Sequence, residues 1–326
     1  MGESVNKKNL LFIGVGFQQY NDYFVDYLSK EYNLWHYGTG EFKAEHSIFM
    51  LWARYFPSEI RKAYRKCLLR YIEKTKNCNF DCILVLKGTH MTDGHLELLK
   101  TYHPDSRFVL YLWDSLKNMD NGDVLRKYFQ LIYSFDSEDC KQYGFKLRPL
   151  FYIEGGRKHQ SIYDVSFVGS NHSDRLKMTQ ELKSFCKANN ISYRFVIPVG
   201  GKLYNKAKYK RNHFLHNDVD IIRASSMAYD EYLELTQSSK TVIDIPSPNQ
   251  SGLSIRTIES LAFGARVITT NYHIAEYDNI SKDMYYVWDR QLNQGLLDFI
   301  KMPQREYRLD PFYSLEAFIG ELLGDK

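Results

Sequence analysis

From Asp244 to Asn271 the chain reads DIPSPNQSGLSIRTIESLAFGARVITTN, a stretch whose residue types could hold an anion. A polar loop stiffened by Pro246 and Pro248 leads through Ser251 to Gly252, Leu253 and Ser254, and then into a helical pattern. Gly252 lets the backbone approach a ligand closely. Ser254 suits a helix N-cap, and the N–H groups of the helix start behind it are a ready site for a diphosphate. Glu259 follows about one and a half turns later, close enough for its carboxylate to accept hydrogen bonds from ribose hydroxyls. Ile255, Ile258, Leu261 and Ala262 give this helix an apolar face, and Gly264 ends it.

A loop can aim such groups only if rigid elements carry it. Short apolar runs alternate with helical patterns along the whole chain, which predicts βαβ units and parallel sheets. The first half offers strands over Asn9 to Phe17, Tyr32 to Tyr37, Cys82 to Lys87, Arg107 to Trp113, Leu131 to Phe135 and Leu147 to Ile153. A second series runs over Tyr163 to Gly169, Tyr193 to Val199, Asp218 to Arg223, Thr241 to Ile245, Arg266 to Thr270 and Met284 to Trp288. Between them, Glu154 to Gln160 with its paired glycines reads as a linker. The expected fold class is α/β, with two Rossmann-like βαβ domains facing a cleft: residues 1–153, residues 160–309, and a C-terminal helix over 310–326 that packs back on the body. Open sheets of this kind bind ligands beyond the carboxyl ends of their strands.

Composition sets outer limits. The 326 residues are 44% hydrophobic and 25% charged, with 43 Lys and Arg against 39 Asp and Glu, so this is a folded protein of about two domains. A net charge of +4 is too mild for a nucleic-acid binder. The five cysteines include no C-x-x-C pair, so neither a disulfide framework nor a zinc site is indicated, and a reducing cytoplasm fits. Met1 to Lys8 has no signal-peptide pattern, and no apolar run approaches the roughly 18 residues of a membrane span. The helical pattern from Ser58 to Lys76 places Ile60, Tyr64, Leu68, Tyr71 and Ile72 on one stripe among Arg61, Lys62, Arg65, Lys66, Arg70 and Lys74. Such a helix presents a solvated charged face, and it could also meet an anionic membrane or a phosphorylated acceptor. Lys202, Lys206, Lys208, Lys210 and Arg211 form a second basic run, interleaved with Tyr204 and Tyr209, that reads as a loop.

The segment from Asp244 to Asn271 resembles the donor-binding segment of GT-B glycosyltransferases, especially those of bacterial surface-polysaccharide and lipopolysaccharide assembly. Asp164 to Ser170 followed by Arg175 is similar to the start of their donor domain, and Trp113-Asp114-Ser115 and Tyr133 to Asp136 also look like that group. The resemblance implies a nucleotide-sugar donor held by the second domain and a glycan or glycolipid acceptor held by the first. Glu259 would take the ribose, Gly252, Leu253 and Ser254 would meet diphosphate or sugar alongside Ser251 and Gly169, and Arg175 or Arg256 would offset phosphate charge. It also implies that no metal is obligatory. In retaining members with a Glu-x7-Glu pair an earlier Glu stands where this chain has Ser251, so retention or inversion is left open. The localisation implied is cytoplasmic, with peripheral contact at the inner face of the cell membrane through the basic helix over 58–76.

Acceptor and general base would then come from loops after the first-domain strands. Asp114 and His90 lead as catalytic groups, with Gly16, Phe17, Asp93 and Asp136 on the acceptor side. Asp114 and Asp136 could equally cap the helices that follow. Asp218-Val219-Asp220 has the D-x-D spelling of metal-dependent transferases, but it opens an apolar strand and is set aside, as is a His213/His216 ligand pair. There is no P-loop, no complete G-x-G-x-x-G after Gly14-Val15-Gly16, and no G-x-S-x-G elbow. The alternatives are a nucleotide-sugar epimerase on the same double-Rossmann plan and a non-catalytic two-domain sugar-binding protein.

Overall fold

The computed structural model describes residues 7–14, 18–38, 57–156, 160–171, 174–209, 216–246 and 250–324. Gly16, Phe17, Lys210, Arg211 and His213 lie outside them. The chain forms two compact units: Met1–Pro149 with Glu316–Lys326, and Leu150–Leu315.

In the first unit the order is β1 (Asn9–Ile13), α1 (Gln18–Glu31), β2 (Asn33–Tyr37), α2 (Pro57–Lys74), β3 (Cys82–Leu86), α3 (Asp93–Tyr102), β4 (Arg107–Leu112), α4 (Gly122–Tyr128), β5 (Leu131–Ser134), α5 (Ser137–Tyr143) and β6 (Lys146–Leu147). All six strands are parallel, in the order β2-β1-β3-β4-β5-β6. Helices on both faces explain why the central strands are continuous apolar runs, such as Ile83 to Leu86 and Val109 to Leu112, all 0% exposed. The strand expected over Leu147 to Ile153 joins the first sheet through Lys146 and Leu147, Pro149 has no N–H to extend the ladder, and Tyr152 instead forms an isolated parallel bridge with Ser314. The basic helix forms as α2. Its stripe faces the core through Leu68 and Ile72, and most of its charges face solvent.

The second unit contains β7 (Tyr163–Val168), α6 (Arg175–Ala188), β8 (Tyr193–Pro198), α7 (Gly201–Lys208), β9 (Ile222–Arg223), α8 (Tyr229–Gln237), β10 (Ser239–Asp244), α9 (Ile255–Ala262), β11 (Arg266–Thr269), β12 (Tyr285–Val287) and α10 (Gln294–Lys301). Its parallel order, β12-β11-β10-β7-β8-β9, places the unit's first strand beside its fourth, the doubly wound dinucleotide-binding arrangement. Two expectations need correction. Lys202, Lys206 and Lys208 lie on a helix, α7, because Leu203, Tyr204 and Ala207 give that stretch a side that packs on the core. The strand expected from Asp218 starts only at Ile222: His216–Asp218 form a 3-10 turn, and Lys183 takes both Asp218 (3.0 Å) and Asp220 (2.5 Å). That ion pair occupies the D-x-D carboxylates.

The last helix, α11 (Leu315–Leu323), returns to the first sheet. Phe318 packs edge-on against Tyr111 and Phe24, and the fully buried Arg148 pairs with Glu321 at 3.0 Å. Asp310 caps the 3-10 turn Pro311–Tyr313 that precedes it.

Candidate functional site

In the second sheet the strand order reverses between β7 and β10, which opens a crevice beyond their carboxyl ends. The segment from Asp244 to Ser254 begins there. Asp244, the last residue of β10, is 1% exposed and accepts three side-chain hydrogen bonds: Ser254 Oγ at 2.7 Å, Arg256 Nη1 at 2.7 Å and Thr257 Oγ1 at 2.8 Å. The carboxylate thus ties the strand end to the first turn of α9 and sets that helix's direction. Ser254 is the N-cap, as its type suggested, and receives Thr257 N–H at 3.2 Å. From the end of β11, Asn271 Nδ2 donates to the carbonyls of Ser251 and Gly252, both at 3.0 Å. Because N–H and C=O point opposite ways across a trans peptide, the N–H groups of Gly252 and Leu253 are turned away from Asn271. The amides of Ile255 and Arg256, in the first turn of α9, have no acceptor among the described residues.

Two arginines stand at this helix start. Arg175, the first residue of α6, spans the crevice: its guanidinium donates to the carbonyl of Ile245 and to Ser170 Oγ. Burial, and then repulsion from Arg256, push its pKa below the ordinary guanidinium value. Burial also works against charge on Arg256, but Asp244 beside it prevails and raises its pKa. Arg256 is balanced by the buried carboxylates of Asp244 and Glu259, while Arg175 meets only neutral oxygens in its hydrogen bonds, at a helix start where the dipole is also positive. Gly169 closes β7, where a Cβ would lie 2.6 Å from the ring of Phe167.

Some sequence candidates are placed differently from what their types suggested. The Leu253 side chain is 1% exposed, in the core, so only its backbone faces a ligand. Glu259 is 2% exposed, and Tyr229 Oη donates to its Oε1 at 2.5 Å, so a ribose reaches this carboxylate only beside or in place of Tyr229.

The first sheet reverses between β1 and β3. Immediately after β3 the backbone enters the left-handed region three times, at Lys87 (φ 65°), Gly88 (φ 62°) and His90 (φ 68°). For a lysine and a histidine this costs on the order of 1–3 kcal/mol each, and the surroundings hold it. Asn121 Nδ2 donates to the carbonyls of Gly88 and Met91, and a Cβ on Gly88 would meet Leu125 at 2.9 Å. The turn carries Lys87 to Asp114, 2.7 Å away, and lays the His90 ring on Tyr64, with centroids 5.3 Å apart and planes within 9°. Burial first, then the charges of Arg65 and Arg61, keep the His90 pKa below the usual imidazole value; Asp120 opposes them, and Lys87 adds the least. Asp114 pairs with Lys87, and His90 lies three residues further along the same loop after β3. Asp93 opens α3 and receives Tyr128 Oη at 3.2 Å. Asp136 is 2% exposed, caps α5 through Glu138 and Asp139 N–H, and takes the Ser115 hydroxyl, which commits it to structure.

No family model and no curated protein matches the chain. Solved structures do. An α,α-trehalose-phosphate synthase (UDP-forming) from Burkholderia vietnamiensis superposes with a TM-score of 0.58 at 11% identity, over 97% of this chain and 100% of that one. Anabaena Alr3699/HepE, solved with UDP and glucose, gives 0.51 at 11% identity over 90% and 89%. A UDP-N-acetylglucosamine 2-epimerase from Rickettsia bellii gives 0.52 at 10% identity over 98% and 95%. The fold is GT-B. Sequence identity this low carries the GT-B fold and nothing finer. Within that fold, several residues that build the two crevices carry weak sequence signals. Asp244 reads as an ordinary strand end, Asn271 as a loop residue, and Lys87 and Tyr64 as surface and stripe. Only their position at strand ends, or one turn from another basic residue, could have singled them out.

Proposed function

We propose that the chain is a glycosyltransferase that moves a sugar from a nucleotide-sugar donor to a glycan or lipid-linked acceptor in bacterial surface-polysaccharide assembly, without an obligatory metal. The observation that carries this reading is the second crevice: open amides at the start of α9, flanked by Arg175 and Arg256, at the switch point of a dinucleotide-type sheet. A diphosphate would satisfy those amides and the Arg175 guanidinium together, and the same groups would stabilise it as the leaving group. Glu259, at the inner end of α9's first turns, would hold the ribose with Tyr229.

In the first unit His90 is the better base. Its imidazole is held neutral, so it can take the proton of an acceptor hydroxyl near pH 7, whereas Asp114 is already engaged by Lys87. Asp114 then acts through Lys87 as a positioning residue. The epimerase alternative has support of its own, since the Rickettsia enzyme shares the fold as well.

The test is a thermal-shift screen against UDP, GDP, CDP, CMP, TDP and their sugar conjugates, followed by turnover with and without acceptor. A selective shift by one nucleotide, lost in Glu259→Ala, supports the donor site. Conversion of the conjugate without any acceptor would favour the epimerase, and no shift from any nucleotide would overturn the reading.

A further inference from the structure

The crevice after β3 is more basic than a sugar hydroxyl requires. Arg61 and Arg65 sit one turn apart on the same side of α2, and Tyr64, beside Arg65 on that helix, stacks on His90 of the loop after β3. Both guanidiniums, with Lys87, act electrostatically on His90. This placement is built. His95 Nδ1 accepts Thr92 N–H at 3.1 Å while Nε2 lies 2.9 Å from the carbonyl of Arg65, so the start of α3 is fastened to the turn of α2 that carries Arg65. Asn121 fastens the β3 loop from the other side.

The local carboxylates do not balance these charges. Asp114 is taken by Lys87. Asp120 meets Arg61 at 3.2 Å, but its side chain is 91% exposed, so water screens that pair and another anion can displace it. Arg65 is exposed and has no ion pair among the described residues. Exposed arginines within reach of a sheet's switch point, beside a neutral imidazole, fit a ligand that carries a phosphate and a hydroxyl together. The guanidinium fork matches phosphate oxygens, and the imidazole matches the hydroxyl.

We propose that the first unit binds an acceptor bearing a phosphate or diphosphate ester, gripped by Arg61 and Arg65 with Lys87 in support, beside His90. This rests on the transferase reading and names its acceptor class. The phosphate could come from a soluble sugar phosphate or from a lipid-linked diphosphate, and the chemistry of recognition is the same.

The test is calorimetric titration of the full chain with inorganic pyrophosphate, for wild type and for Arg61→Ala/Arg65→Ala, with melting temperatures to show that both are folded. The double variant should lose at least tenfold in affinity for one of two binding events, while its thermal shift with nucleotide stays that of wild type. A variant that titrates like wild type while nucleotides still bind overturns this site and leaves the donor site standing. If no nucleotide binds but the pyrophosphate difference persists, the transferase reading fails and the phosphate site stands. Cosedimentation with phosphatidylglycerol vesicles that is lost in the double variant, with pyrophosphate affinity equal in both proteins, overturns the proposal in favour of a membrane-facing helix. Competition by glucose 6-phosphate or by a soluble alkyl diphosphate tells the two phosphate sources apart, and either supports it.

Discussion

Asp244 Oδ1 and Arg256 Nη1 lie 2.7 Å apart, the carboxylate side chain 1% exposed and the guanidinium side chain 23% exposed. The same carboxylate holds Ser254 and Thr257, so one side chain at a strand end fixes the first turn of α9. Replacing Asp244 with Asn keeps the shape but removes the charge facing Arg256. Breaking a buried pair from one side costs about 3–5 kcal/mol, and the partial exposure of Arg256 places the expected loss near the lower end. Urea unfolding of Asp244→Asn should show that loss. Nucleotide binding by the folded fraction should weaken as well, because the helix start is no longer held in place.

A second prediction concerns the helix that returns to the first unit. Phe318 is 0% exposed, 4.7 Å from the ring of Tyr111 and 6.0 Å from that of Phe24, and Arg148 lies over its ring. Phe318→Ala should destabilise the chain by about 3–5 kcal/mol, read as a lower urea midpoint. Glu321→Gln, which leaves Phe318 in place but removes the charge facing the fully buried Arg148, should also lower the urea midpoint, because it leaves a buried guanidinium without its counter-charge.

The sheets were legible because buried parallel strands must be apolar along their whole length, and runs such as LLFI, ILVL and FVLYL admit little else. Each expected run overlaps a strand, and the N-cap at Ser254 follows from its residue type and the apolar face behind it. What failed to show is long-range. Nothing local distinguishes Asp136, which turned inward to cap α5, from Asp114, which turned to Lys87. Leu253 looked like a loop residue near a ligand, but the loop folds its side chain into the core. The left-handed turn at Lys87 and His90 is invisible to propensity, because those residue types disfavour it and partners from distant segments, Asn121 and Asp114 among them, secure it.

The histidines of the first unit make its stability depend on pH. Burial lowers the pKa of His90, His95 and His103 below the ordinary imidazole value near 6.5, with the cations around His90 adding to the effect. A lowered histidine pKa means that the unfolded chain binds more protons in that range, so stability is full above about 6.5 and falls as the pH drops through the folded values. Asp139 works with the opposite sign, because burial raises its pKa, so it opposes the decline in the carboxylate range. Urea midpoints measured from pH 7.5 to 5 should therefore decrease. His95→Gln should shrink the decrease, because a neutral amide can keep the contacts to Thr92 and Arg65 without titrating. An unchanged slope in that variant would mean that His95 carries none of the effect.

The two crevices can be separated kinetically. Glu259→Gln alters a group proposed to hold the donor, so it should weaken nucleotide binding by about tenfold or more, the scale of one lost charge-assisted hydrogen bond. His90→Gln removes the proposed base but keeps a polar side chain beside Tyr64. It should leave nucleotide affinity unchanged and lower kcat by about 100-fold or more, the usual contribution of general base catalysis. Asp114→Asn should fall between these limits, since it frees Lys87 rather than removing the base, and its effect should be smaller than that of His90→Gln. The decisive readout is the pH profile. In wild type the acidic limb of kcat should lie below the ordinary imidazole range, and Arg65→Gln should move it upward, because removing a neighbouring cation makes His90 easier to protonate. If the limb stays fixed in Arg65→Gln and vanishes in Asp114→Asn instead, the carboxylate is the base and His90 only shapes the turn.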